Sequence, residues 1–196
     1  MVVLVSFNPT SGFRIPTIEI SLRWYEKFFG LADFRDSLFL ISLPVALASS
    51  IVATLVGTLA AIGLQRSRII GRDLVESFFM LPLLIPSILL GAALYLVYAA
   101  LGVAGGFWTL VVGHTLLGVP YVIRVVGAGL VAVDKRLEEA AISLGCRPVE
   151  AFVRVVLPNI RSSILSGAIF AFIVSFSDIN LALLSTPPEN SPEAPK

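Results

Sequence analysis

Long apolar stretches without charged residues dominate the pattern of this chain. Asp, Glu, Lys and Arg are absent from residues 37–65, 77–123 and 162–177. About 20 apolar residues in a helix cross a bilayer core. The stretches show neither the polar face of a soluble helix nor the period-2 alternation of a barrel strand. The pattern therefore predicts an all-α membrane protein, a polytopic bundle of transmembrane helices.

Four spans are predicted, at residues 38–64, 75–101, 107–130 and 162–184. Pro82, Pro86 and Pro120 lie within these spans, where we expect them to kink the helices. The loops after the first and third spans contain Arg and Lys, whereas the turn at 102–106 contains neither. The positive-inside rule therefore places both basic loops, including the long loop 131–161, in the cytoplasm.

The two ends of the chain differ from the central region 38–184. Residues 1–37 are interpreted as the end of a truncated first span followed by a segment on the outer side of the membrane. Trp24 and Tyr25 in that segment are expected at the membrane interface, where such rings concentrate. Residues 185–196 are rich in Pro and Glu and are predicted to form a disordered tail.

The amino-acid composition excludes several classes of function. Hydrophobic residues make up 57% and charged residues 14% of the chain, against roughly 25% charged residues in soluble domains. A net charge of +1 disfavours a nucleic-acid binder, and one cysteine excludes an internal disulfide. The chain has no Gly-x-x-x-x-Gly-Lys-Ser/Thr phosphate loop and no evident metal cluster or Ser-His pair. We therefore predict no enzyme activity, no catalytic residue, no cofactor and no metal.

The long basic loop contains the signals of two short helices joined at a tight corner. Asp134 is a suitable N-cap, and Gly145 suits the left-handed position that ends a helix. Pro148 fits the first turn of a second helix, which we expect to stop before Pro158. Such a stiff elbow can transmit a push between a partner protein and the spans.

The same loop also carries a longer motif. Glu139-Ala140-Ala141 is followed after three residues by Gly145, and after nine more by Val155-Val156-Leu157-Pro158. This resembles the EAA loop of bacterial ATP-binding-cassette (ABC) importer permeases, from which it departs only by Val155 in place of Ile. Residues 21–25, 82–86, 108–110 and 175–178 are similar to the spermidine/putrescine-type branch, although permeases for iron, thiamine or opines share parts of them.

The resemblance implies a binding-protein-dependent permease subunit of the bacterial inner membrane. A second permease subunit, the same or different, would complete the pathway. Separate ATPase subunits would hydrolyse ATP, and an external solute-binding protein would deliver a polyamine or a related organic solute. Family members usually have six spans, so this chain is expected to lack most of the first and all of the last.

The resemblance also assigns ATPase coupling to the loop, at Glu139, Ala140, Ala141, Gly145, Leu157 and Pro158. Small Ala side chains would allow close approach to a groove on the ATPase, and Glu139 would pair with a basic partner. Gly145 would set the corner. The alternative is a solvated loop helix without a partner.

Two polar residues in the spans have alternative interpretations. Asp178 either attracts a cationic solute or is a charge near the interface that reaches headgroup water or a neighbouring subunit. His114 either relays a proton or makes a hydrogen bond in helix packing, and the second interpretation is favoured because no other titratable group lies near it in the sequence.

Two functions other than the importer permease stay open. One is a stand-alone secondary carrier or channel, a class that tends to place charged or unwound segments at the membrane midplane. The scarcity of charged residues in these spans counts against a stand-alone carrier or channel. The other is a truncated remnant that does not transport.

Overall fold

The computed structural model describes residues 5–8, 21–31, 36–66, 70–103 and 105–178, which fall into two units, 1–44 and 45–196. The expected tail at 185–196, the last part of the fourth predicted span and residues 9–20 lie outside the described residues. The described elements are helices and turns, as the all-α prediction requires.

The first unit contains the amphipathic helix α1 (Arg23–Gly30). Its aromatic side chains share one side, and its charged side chains share the other. The Trp24 indole donates a hydrogen bond to the Asn8 carbonyl oxygen at 2.8 Å, and the rings of Tyr25 and Phe7 lie 5.6 Å apart. The position of this helix at the membrane interface stays a prediction.

The described residues contain three helical runs that are long and apolar enough to cross a membrane. They are Ser37–Arg66, Phe107–Ala132 and Pro148–Ser177. The first begins with a π-helical turn (Ser37–Ser42) and continues as α2 (Leu43–Arg66), and the second is α5 (Phe107–Ala132). These runs overlap the predicted spans, whose exact limits in the membrane stay predictions.

A fourth candidate span is sharply bent. The chain bends by 102° between helices α3 (Arg72–Leu84) and α4 (Ser87–Ala100). The described residues therefore contain four spans only if this pair is one broken span. The break lies at Ile85, which is extended with φ −96° and ψ 126°. Pro86 follows and disfavours helical geometry at the residue before it. Pro82 and Pro120 lie inside continuous helices, so Pro86 is the proline at the break.

Helix α5 lies at the centre of the second unit. It packs most extensively against the last helix, α8 (Leu157–Ser177), and it also contacts α3 and α4. Val122 of α5 is fully buried where Gly57 of α2 and Gly167 of α8 approach it. Such small residues let the backbones of membrane helices come close together.

Helix α2 buries its small side chains and exposes its large ones. Its buried positions include Ala46, Ser49, Ala53, Gly57 and Ala61, and its exposed positions include Leu47, Ile51, Leu55 and Leu59. Water would penalise this arrangement, but lipid or another transmembrane subunit accommodates large apolar side chains. The packing therefore agrees with the membrane assignment.

The two short helices predicted for the basic loop are present. They are α6 (Lys135–Ser143) and α7 (Pro148–Ala151), and a π-helical turn (Phe152–Val156) leads from α7 into α8. The expected stop before Pro158 is wrong, because the helical run continues from Pro148 to Ser177. The wider π-helical turn comes directly before Leu157 and Pro158, where it gives the proline ring room that a regular α-turn lacks.

Candidate functional site

The elbow, residues 134–158, has well-defined local geometry. The Asp134 carboxylate caps α6 by accepting a hydrogen bond from the Arg136 backbone N–H at 2.9 Å. At the other end, the N–H of Gly145 donates to the Ile142 carbonyl, and the N–H of Cys146 donates to the Ala141 carbonyl. This is the Schellman pattern, which requires a left-handed residue, and Gly145 supplies it with φ +97°. The predicted N-cap and corner are both present.

One side of α6 faces the helix bundle. Lys135, Glu138, Glu139 and Ile142 lie at helical spacing and border a cavity of about 440 Å³. Gln65 and Arg66 from the end of α2 border the same cavity. Glu139 is exposed at this cavity and does not lie on the side of α6 that faces away from the bundle.

The other side of the elbow exposes apolar residues. Leu137 is 50% exposed and Leu144 is 88% exposed, and Ala140 and Ala141 lie between them on the same side of α6. Val149 on α7 is 75% exposed, and Val153 in the π-helical turn that follows α7 is 50% exposed. We call the following six residues, of which only Ala141 is half-buried, the exposed elbow face: Leu137, Ala140, Ala141, Leu144, Val149 and Val153.

The other residues assigned to coupling lie at the base of the elbow. Leu157 is half-buried and packs against the core, whereas Pro158 is exposed. Val156 of the π-helical turn and Ile160 of α8 are buried in the same core. The structure thus separates the assigned residues into an exposed Ala140 beside a half-buried Ala141, a corner glycine, a cavity-side glutamate, and a base where only Leu157 packs against the core.

Sequence reasoning missed a residue that contacts this elbow. Arg66, the last residue of α2, donates two hydrogen bonds to Glu138, from Nη1 to Oε1 at 2.8 Å and from Nη2 to Oε2 at 2.6 Å. Its guanidinium carbon also lies 4.5 Å from the centroid of the Phe152 ring. In the sequence, Arg66 is one of several basic residues after the first span. No short-range pattern predicts its contact with a glutamate 72 residues away.

The structure also gives the positions of the two polar residues considered in the predicted spans, His114 and Asp178. His114 of α5 is buried, and its Nδ1 has no hydrogen-bond partner among the described residues. Asp178 was expected inside the fourth span, but the described helix ends at Ser177, and Asp178 follows in extended geometry. The roles suggested for His114 and Asp178 stay predictions.

These features define a class of protein: a polytopic α-helical membrane protein with a two-helix elbow between two of its long helices. The chain belongs to the family described as binding-protein-dependent transport system inner membrane component, which residues 53–188 match. It is accordingly a multi-pass inner-membrane protein. The resemblance to ABC-importer permeases, and to their spermidine/putrescine-type branch, is confirmed.

Individual relatives agree with this assignment. The chain is 30% identical over 159 residues to the spermidine/putrescine transport system permease protein PotC of Haemophilus influenzae, covering 81% of this chain and 62% of that protein. It is 31% identical to the putrescine transport system permease protein PotI of Escherichia coli, covering 93% of this chain and 66% of that protein. The chain therefore spans about two thirds or less of the length of these relatives.

A solved structure also resembles this fold. It is the crystal structure of an amino acid ABC transporter with histidines, which matches with a TM-score of 0.54 and 25% sequence identity. The match covers 81% of this chain and 75% of the other. The fold-class prediction is confirmed by this neighbour and by the helical architecture.

Proposed function

We propose that this chain is the transmembrane permease subunit of an ATP-driven importer and that its elbow docks on a separate ATPase. The observation that carries the proposal is the exposed elbow face. The positive-inside rule predicts that the elbow lies in the cytoplasm, where it is surrounded by water. Apolar side chains exposed to water on one surface are typical of a protein–protein contact. Family membership supports the same interpretation.

Coupling would follow from the connection between the elbow and the bundle. Helix α7, the π-helical turn and α8 form one helical run, Pro148–Ser177. A displacement of the elbow would therefore move α8, which packs against the central helix α5. Closure of the ATPase would pull on the elbow and bias the bundle between two arrangements, as in rigid-body switching.

The other parts of the transport system are also proposals. ATP hydrolysis belongs to the separate ATPase, so this chain is not itself an enzyme. A second permease subunit and an external solute-binding protein would complete the importer. The names of two relatives support a polyamine or a related solute. Asp178 is one candidate for attracting a cationic solute, although its position also suits an interfacial charge.

The proposal is tested by co-expression with candidate ATPase subunits encoded nearby, followed by a pull-down in mild detergent. The test variant is Ala141→Arg, which places a bulky charge on the exposed elbow face. The matched control is Ser143→Arg, which adds the same charge to an exposed position outside that face. We expect capture by the parent chain and the control, and loss of at least tenfold in Ala141→Arg, equivalent to about 1.4 kcal/mol.

Three outcomes separate the alternatives. Selective loss in Ala141→Arg supports docking through the exposed elbow face. Equal capture by all variants shows that the ATPase binds elsewhere. No capture by a parent chain that is inserted and stable contradicts the permease role and favours a stand-alone carrier or a non-transporting remnant.

A further inference from the structure

Arg66 joins the end of one long helix to both parts of the elbow. Its guanidinium group binds both oxygens of Glu138 on α6, at 2.8 and 2.6 Å. The same group lies over the ring of Phe152 in the π-helical turn, at 4.5 Å from the ring centroid. One side chain from α2 therefore contacts the elbow before and after its corner.

The geometry favours arginine at this position. A guanidinium group matches a carboxylate with two parallel hydrogen bonds, and its flat face also stacks on an aromatic ring. A lysine can supply the charge, but it provides neither the paired hydrogen bonds nor the stacking plane. Glu138 is 19% exposed at its side chain and Arg66 is 36% exposed, so the pair is more enclosed than an ordinary surface pair.

The contact lies on the cavity side of the elbow. Arg66 and Glu138 both border the 440 Å³ cavity, whereas Ala140 and Leu144 of the exposed elbow face lie on the other side of α6. An ATPase bound at the exposed elbow face would leave the Arg66 contact intact. The elbow is then attached to the bundle twice, by its helical continuity with α8 and by the Arg66 contact with α2.

We propose that Arg66 is a positioning residue that ties the elbow to the end of α2, so that a movement imposed on the elbow reaches α2 as well as α8. This inference rests on the proposed function. Without the Arg66 contact, the ATPase can still dock, but its movement is delivered mainly to α8 and the conversion of ATP hydrolysis into transport is impaired.

The chain offers a matched control for this contact. Arg154 pairs with Glu150 at 2.8 Å, and both residues belong to the elbow, four positions apart on the same helical run. Their side chains are 70% and 39% exposed, and the pair does not connect the elbow to α2. Arg154→Ala removes one arginine and one ion pair from the elbow without touching the proposed tie.

The main experiment compares Arg66→Ala, Arg66→Lys, Glu138→Gln and Arg154→Ala in the complete importer reconstituted in liposomes. The readouts are capture of the ATPase and uptake of radiolabelled putrescine per ATP hydrolysed. We expect normal capture in all variants and a roughly fivefold or larger fall in uptake per ATP for Arg66→Ala and Glu138→Gln, at the low end of usual coupling effects. Arg66→Lys should fall in between, and Arg154→Ala should match the parent.

Either of two results in this experiment would overturn the inference. One is unchanged uptake per ATP in Arg66→Ala, and the other is an equal loss in Arg154→Ala. The charge-swapped pair Arg66→Glu with Glu138→Arg is the second variant, and partial recovery relative to the single changes is expected if the two residues act together. Absence of ATPase capture by the parent chain contradicts the proposed function instead.

A second measurement depends on neither the solute nor the ATPase. Spin labels at Leu59→Cys on α2 and Arg136→Cys on α6, in a Cys146→Ser background, report the distance between the span and the elbow; all three changes are made in the full chain. We expect Arg66→Ala to broaden this distance distribution and Arg154→Ala to leave it unchanged. An unchanged distribution in Arg66→Ala shows that Arg66 does not position the elbow.

Discussion

Val122 illustrates how single residues determine the packing of this bundle. Its side chain is fully buried, and a Cβ atom built on Gly57 would lie 2.6 Å from the Val122 Cβ. Real side chains do not come this close, so α2 and α5 keep their present separation only with glycine at position 57. Gly63, six residues further along α2, has no atom within 4 Å of the corresponding point.

This contrast predicts opposite outcomes for two identical substitutions. Gly57→Ala should lower the free energy of unfolding by about 1–3 kcal/mol, because the new methyl group forces α2 away from Val122. Gly63→Ala is the control and should be neutral or stabilising by up to about 1 kcal/mol, because alanine favours the helix. Unfolding by SDS in mixed micelles measures both. Equal stability of the two variants contradicts the close packing at Gly57.

At the scale of elements, the break between α3 and α4 shows how one proline shapes a predicted span. Ile85 is held in extended geometry directly before Pro86, and the chain bends by 102° between the two helices. Pro82 lies one turn earlier inside α3 and does not end the helix. The physical difference is that neighbouring groups can compensate a proline inside a membrane helix, whereas here the chain leaves the helix altogether.

Replacement of Pro86 should therefore open the bend. In Pro86→Ala, residue 86 regains an N–H donor and Ile85 can adopt helical geometry, so the bend between α3 and α4 decreases. Spin labels at the exposed positions Leu74→Cys and Leu96→Cys, with Cys146→Ser, should show a longer distance. Pro82→Ala is the control and should leave the distance unchanged. A bend that persists in Pro86→Ala is held by tertiary packing and not by the proline.

The elbow is the element whose local structure the sequence predicts best. Asp134 caps α6 and Gly145 forms the left-handed corner, because caps and corners depend on hydrogen bonds between near neighbours. The expected stop before Pro158 failed for a tertiary reason as well as a local one. Val156 and Ile160 are buried in the core on both sides of the proline, so packing favours a continuous helical run.

At the scale of the whole molecule, distant segments are joined by polar contacts as well as by apolar packing. The hydroxyl groups of Ser49 on α2 and Ser175 on α8 lie 2.9 Å apart, and both side chains are buried. Ser49 also donates to the Val45 carbonyl at 2.7 Å, so in that arrangement Ser175 is the donor between the two hydroxyls. This contact spans 126 positions in the sequence.

A double-mutant cycle measures the strength of this contact. Ser175→Ala should lower the free energy of unfolding by about 0.6 kcal/mol, and at most by about 1.7 kcal/mol, the range of such bonds in membrane proteins. Ser166→Ala on the same helix is exposed and should have no measurable effect. With Ser49→Ala already present, the effect of Ser175→Ala should shrink. Fully additive effects of the two changes contradict the hydrogen bond.

The position of the elbow relative to the end of α2 also belongs to this scale. Positive charge alone predicted that the loop after the first span and the loop at 131–161 lie on the same side of the membrane. The Arg66–Glu138 contact joins the end of α2, where the first of these loops begins, to the elbow, so these two parts lie at the same end of the second unit. Which side of the membrane that end faces stays a prediction from the positive-inside rule.

The sequence by itself determined the membrane class, the approximate helices and the local form of the elbow, because charge-free run length, caps and corner residues act over a few positions. Tertiary structure alone decided that Glu139 borders a cavity, that Ala140 is exposed outside that cavity and that Ala141 is half-buried. It also decided that Arg66 pairs with Glu138 and that Gly57 lies against Val122. These contacts join residues far apart in the chain, and their partners are specified only when the helices pack.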